Sequence, residues 1–294
     1  MTIFPSRRLV LAGLGTMLIA ASRDRPAPRR PDARPYAGLV PVPGGQLFVE
    51  DSGGRGIPIV LLHAMTGSSR SWATYQRPAF ERAGLRVVSY SRRGFEGSPV
   101  EPGSPPGSAV DDLDAVVDAL GIGRFHLLGT AAGGFIAPDY ALSRPERLLS
   151  LTLACTQAGI VEPAYRAALD RMIPPAFKSM PAAFRELSPA FRALDPAGTA
   201  AWERVAERAP AAAQRINQPP RHRIDFAALG RIRTPTLVIA GAADLYIPPA
   251  LVRQYAAHIS GARVEVLADC GHSAFWEAPE RFNRLVLDFV ARHR

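Results

Sequence analysis

The sequence runs to 294 residues, enough for one large domain or two small ones with a sizeable buried core. Hydrophobic residues make up 47% and charged residues 21%, ordinary values for a soluble globular protein. The net charge of +9 would point to nucleic acid, but residues 1–35 hold +5 of it, as seven arginines against Asp24 and Asp32. What remains is too thin for a basic stripe on the folded body, so nucleic acid is excluded as the expected partner.

The N-terminal segment explains most of the excess charge. Arg7 and Arg8 precede an apolar run over residues 9–21, with small residues at Ala20, Ala21 and Ser22. Thirteen residues rise about 20 Å as a helix, short of the roughly 30 Å hydrocarbon core. A cleaved export signal over 1–22 therefore fits better than a membrane anchor, and no membrane association is expected once it is removed. The stretch from Ser6 to Leu11 resembles a twin-arginine signal, which implies a periplasmic or secreted protein. The Pro/Arg-rich stretch over 23–36 reads as a linker.

From residue 37 onward, short apolar runs alternate with helical periodicity. "GLVPVPGGQLFVE" predicts a hairpin turning at Gly44-Gly45. Strands are expected at "IPIVLLH", "LRVVSY", "FHLLGT", "LLSLTLA", "TPTLVIAG" and "ARVEVLA". Their Val, Ile and Leu content without strict alternation suits strands buried on both faces of a mostly parallel sheet. After Ser108, Leu113, Val116, Val117 and Leu120 share one helix face, and Gly121 is its expected stop. The class is α/β, with helices on both faces of the sheet. From about 157 to 231 no strand is evident, only Ala-, Arg- and Pro-rich helical pieces. That length is too great for a loop, and a helical cap over the carboxyl ends of the strands is expected. Cys155 and Cys270 are too far apart in sequence for a CxxC metal or redox site; as a pair they permit a disulfide or two small buried residues.

Five motifs then fall into one order. A strand runs into His63-Ala64-Met65-Thr66-Gly67, the next ends in "SYSRRGFEGS", and the third leads into Gly129-Thr130-Ala131-Ala132-Gly133. Asp244 and His272 each follow a later strand. This order resembles the α/β-hydrolase superfamily over residues 37–294, closest to its capped esterase, enol-lactonase and haloperoxidase-like branch. The resemblance implies a nucleophile slot at position 131, an oxyanion hole from the N–H groups of Met65 and Ala132, and His272 as general base oriented by Asp244. It also implies that His63, Ala64, Thr130 and Cys155 border the substrate. Ala64 stands where the family has glycine, Ser91 where it has aspartate, and Glu96 where glycine is common. No cofactor and no metal are implied.

The departure with the largest consequence is Ala131, whose methyl group cannot attack a carbonyl. Deleting the nucleophile of a serine hydrolase costs roughly 10⁶-fold in kcat, leaving about 10³–10⁴ over water. Several chemistries fit. Alanine could replace a native serine in an ordinary esterase. His272 could act without a covalent intermediate, either on water or by proton transfer of the lyase or cofactor-free oxygenase type. The fold could also serve a pseudoenzyme that only binds. Cys155 is a candidate displaced nucleophile, though a buried cysteine is the commoner finding. Retention of both His272 and Asp244 favours an enzyme, and the sequence points to a small, partly apolar carbonyl substrate such as an ester or lactone. The cap segment has no charge cluster that would predict a strongly ionic ligand.

Overall fold

A computed structural model describes Met1, residues 33–210 and residues 215–294. Apart from Met1, the expected export signal lies outside the described residues, as does the linker up to residue 32. Ala33 bridges to Gly54, and the first strand begins at Tyr36, inside the expected linker.

The sheet is built from β1 (Tyr36–Val42), β2 (Gly45–Asp51), β3 (Pro58–Leu62), β4 (Arg86–Tyr90), β5 (Phe125–Thr130), β6 (Leu148–Ala154), β7 (Thr236–Gly241) and β8 (Arg263–Leu267). Their spatial order is β1-β2-β4-β3-β5-β6-β7-β8. β2 pairs antiparallel with both β1 and β4, and every later pairing is parallel. The hairpin turns on Pro43-Gly44, one residue earlier than expected, because Gly45 already pairs with Val42; Gly44 takes the positive φ of 75°.

Alternation along β3 shows why the strands read as unbroken apolar runs. Val60 and Leu62 join one core layer while Ile59 and Leu61 join the other, so both faces are covered. The first layer is completed by α2 (Ala109–Ala119), after α1 (Gln76–Arg82), and by α3 (Gly133–Ser143). In α2 the Ser108 hydroxyl caps the N-terminus by accepting from the Val110 N–H. Val110, Leu113, Val116 and Val117 are buried, and Gly121 takes φ 63° just past the end.

Between β6 and β7 lie α4 (Pro163–Met172), α5 (Ala182–Glu186), α6 (Pro189–Leu194), α7 (Pro196–Ala206) and α8 (Phe226–Leu229). This insertion is tied into the body. Tyr165, Leu169, Ile224 and Leu229 enter one core layer, while Ala183, Leu187 and Trp202 enter the other. The chain then closes with α9 (Pro249–Ala256), α10 (Ala274–Glu277) and α11 (Pro279–Val290), whose Phe282, Val286 and Phe289 cover the second layer.

A buried ion pair fixes the turn after β4. The Arg93 guanidinium donates from Nε to Asp112 Oδ2 at 2.7 Å and from Nη2 to Oδ1 at 2.6 Å, and from Nη1 to the Pro43 carbonyl. Both side chains are almost fully buried. Removing one partner leaves an uncompensated charge out of water, so Asp112→Ala is expected to destabilise the fold by about 3–5 kcal/mol. Urea unfolding checks this, and a loss below about 1 kcal/mol would show that the arginine finds another acceptor.

Candidate active site

β5 ends at Thr130 and α3 starts at Gly133, so Ala131 and Ala132 must reverse the chain in two residues. Ala131 does so with φ 49°, a left-handed conformation costing an L-residue about 1–2 kcal/mol. The surroundings hold it there. Its N–H donates to the Ala154 carbonyl at 3.0 Å, and its own carbonyl accepts from Thr156 Oγ1 at 2.6 Å. The flanking glycines are sterically required. A Cβ at Gly129 would sit 2.5 Å from the Gly133 carbonyl oxygen, and one at Gly133 would sit 2.2 Å from that of Leu62. The result is a strained strand-to-helix turn, or elbow, with a methyl group at its tip.

Asp244 follows β7 and is buried. Its Oδ1 accepts from the N–H groups of Tyr246 and Ile247, which fixes the carboxylate. Oδ2 lies 2.8 Å from His272 Nδ1. With Nδ1–H committed to Asp244, Nε2 is the nitrogen left for proton transfer. The Tyr246 ring lies against the imidazole, with centroids 4.2 Å apart. Burial disfavours the imidazolium, but the charge and hydrogen bond of Asp244, with Glu186 and Glu277 beyond, outweigh it and hold His272 above the ordinary imidazole value.

The loop carrying His272 leans on the insertion. Ser273 N–H donates to the Glu186 carbonyl at 2.9 Å, and Trp202 Nε1 donates to Ser273 Oγ at 3.1 Å. The Glu277 carboxylate accepts from both Gly271 N–H and Ser188 N–H, each at 2.9 Å.

Ala131, Ala132, Met65 and His272 line one cavity of about 480 Å³. Among the described residues the N–H groups of Met65 and Ala132 have no protein acceptor, which leaves both free for a developing oxyanion. The insertion contributes Lys178, Arg185, Glu186 and Arg215 to the lining, and Phe135, Gln157 and Tyr246 complete much of the wall. The expectation of a site without a charge cluster is thus corrected: three cations spaced over 38 residues of sequence converge in space.

Four residues expected to border the substrate lie behind the site instead. His63 is fully buried, with Nδ1–H donating to the Ala64 carbonyl at 2.7 Å and Nε2 accepting from the Arg92 N–H at 3.1 Å. With both nitrogens occupied and burial pushing its pKa well down, His63 serves the loop and not the substrate. Ala64 is buried and does not take the positive φ that would demand glycine, which explains how alanine is accommodated. The Thr130 side chain, at the end of β5, is buried outside the cavity lining. Cys155 is likewise buried outside the lining, its Sγ 3.7 Å from the Gly271 carbonyl oxygen, and burial pushes its thiol well up, so it is no thiolate nucleophile. Neither it nor Cys270 forms a disulfide. Sequence reasoning missed Tyr246 and the insertion's charged residues. Only Tyr246 had a signal, its place two residues after Asp244.

The sheet order, the elbow and the His272–Asp244 pair together define an α/β-hydrolase architecture. The chain belongs to the alpha/beta hydrolase family, whose profile matches residues 59–285. A 2-hydroxy-6-oxononadienedioate/2-hydroxy-6-oxononatrienedioate hydrolase of Burkholderia vietnamiensis is 31% identical over 266 residues, covering 84% of this chain and 91% of the relative. The structure of Rv0554 from Mycobacterium tuberculosis is similar with a TM-score of 0.71 at 26% identity, over 85% of this chain and 94% of that one. The enol-lactonase of Burkholderia xenovorans LB400 shares the fold, with a TM-score of 0.68 at 24% identity, over 86% and 100% of the two chains. Membership of this family, with named hydrolases among the relatives, makes the protein a hydrolase of small molecules.

Proposed function

We propose that this protein is an exported hydrolase of a small ester or lactone in which His272 activates water directly, without a covalent intermediate. The observation that carries this reading is the pairing of an ordered base with an elbow that ends in a methyl group. His272 Nδ1 is bonded to Asp244, while Ala131 occupies the position from which a serine would attack. The relatives support a carbonyl substrate, since the Burkholderia vietnamiensis enzyme is named as a hydrolase of oxo compounds.

In this scheme Nε2 takes a proton from water, and the hydroxide oxygen bonds to the substrate carbonyl carbon. The carbonyl electron pair moves to oxygen, where the N–H groups of Met65 and Ala132 hold the oxyanion. On collapse the carbon–oxygen bond to the leaving group breaks, and the imidazolium returns its proton to the departing alkoxide. Ester and water become acid and alcohol, and His272 ends neutral. The export half of the proposal rests on Arg7, Arg8 and the apolar run that follows.

Rapid-mixing kinetics with 4-nitrophenyl acetate tests the route. Nitrophenol should appear linearly from the first turnover, and a single turnover in ¹⁸O-water should place one label in the acetate. A burst equal to the enzyme concentration would reveal an acyl-enzyme on another side chain and overturn the direct attack. Retained ligand binding with no turnover of any ester would make the protein a binder.

A further inference from the structure

We infer that the roof of the cavity is an anion subsite, so that the substrate is a short ester or lactone carrying a carboxylate at the end remote from the scissile carbonyl. This rests on the hydrolytic reading above and adds the chemical class of its substrate. The cavity is divided by origin. Its floor, with Met65, Ala131, Ala132 and His272, comes from the loops after the sheet strands. Its cations come from the insertion. Lys178, the only lysine of the chain, sits in the turn Pro175–Ser179, Arg185 in α5, and Arg215 beyond α7.

Arg185 and Arg215 are half-buried and Lys178 is exposed, and their partners differ from those of several other arginines. Arg86, Arg93 and Arg144 each meet an aspartate. Lys178, Arg185 and Arg215 form no ion pair among the described residues. Arg185 donates from Nε to the Met180 carbonyl and from Nη1 to the Tyr246 hydroxyl. Arg215 donates from Nε to the Pro210 carbonyl. Both guanidinium groups thus meet only neutral oxygens and keep donors to spare.

Arg185 is also close enough to Arg215 to disturb it. Burial first, and then the charge of Arg185, lowers Arg215, and Arg215 in turn adds to the lowering of Arg92. Like charges gathered without a counter-ion are unfavourable, and a bound anion relieves that repulsion. Glu186 shares the cavity with them, its Oε1 accepting from the Tyr246 hydroxyl at 3.3 Å, and Glu203 and Glu207 line the neighbouring cleft that Arg185 and Arg215 also border. Burial raises the pKa of Glu186, against the pull of His272 and Arg185. Asp244, which also raises it, is committed to His272.

A carboxylate is the anion that fits. Its two oxygens match the planar fork of a guanidinium. The apolar part of the lining, Met65, Phe135, Ala131 and Ala132, suits a short hydrocarbon stem and a singly charged end, whereas a phosphate dianion would lose more hydration there.

The test compares 4-nitrophenyl hemiglutarate with its methyl-capped neutral counterpart, two esters with the same scissile bond. The free carboxylate should show kcat/KM at least about tenfold higher, mainly through KM. The ratio should shrink as salt is added. Arg215→Gln and Lys178→Met should each lower the ratio by about threefold or more, and the double variant should bring it to about one. A wild-type ratio at or below one, or a ratio unchanged in the double variant, overturns the subsite. Calorimetric titration with glutarate separates this from failure of the hydrolytic reading. Glutarate binding that is lost in the double variant supports the subsite even if neither ester is cleaved. Absence of both binding and preference sinks it.

Discussion

Ala131→Ser is expected to raise ester turnover by at least about 10²-fold and to make the protein react covalently with an alkyl phosphonate probe. The elbow needs no rebuilding for this. Ala131 already holds φ 49°, its N–H is bound to Ala154 and its carbonyl to Thr156, and adding one oxygen leaves those contacts untouched. His272 is already oriented by Asp244, and the Met65 and Ala132 amides have no competing acceptor among the described residues. In the proposed reading the variant adds only the nucleophile, and deletion of that nucleophile in serine hydrolases costs roughly 10⁶-fold in kcat. Mass spectrometry of the labelled protein would place the phosphonate on position 131. A variant that neither labels nor gains activity would show that Nε2 of His272 does not point at the elbow.

His272→Ala is expected to lower turnover of the unaltered protein by about 10²–10⁴-fold, the range that a positioned general base contributes. The imidazole can accept a proton only when neutral. Because its pKa is raised, the acid limb of kcat/KM should lie above the ordinary histidine value of about 6.5, with the rate falling as pH drops through the limb and level above it. Asp244→Asn removes the leading favourable influence on the imidazolium, so the limb should move to lower pH while kcat also falls. A pH–rate profile of the three proteins decides the matter. Equal turnover with and without the imidazole would remove His272 from the chemistry. An unmoved limb in Asp244→Asn would assign the titration to another group.

The sheet was legible in the sequence because its strands are covered on both sides. β3, β4 and β5 are short buried runs between turn signals, and little else fits such a pattern. Asp244, His272 and the slot at Ala131 were legible for a related reason. Each follows directly on a strand end, and parallel strands bring their carboxyl ends to one edge. Direction within that edge was not legible. His63, Ala64, Thr130 and Cys155 stand at the same edge, yet their side chains are buried in the protein, and the contacts that hold His63 and Cys155 there come from loop carbonyls that no spacing rule announces. The insertion was the least legible part. Lys178, Arg185, Glu186 and Arg215 follow no spacing rule, and their convergence depends on how short helices pack, which a single chain of letters does not encode locally.

The bracing of the 271–273 loop by Glu186, Ser188 and Trp202 has a mechanical consequence. The imidazole does not own its position; the helices over the cavity lend it. Removing those helices would take away the bracing of the base together with part of both core layers. The placing of the base and the packing of the body thus depend on the same few side chains.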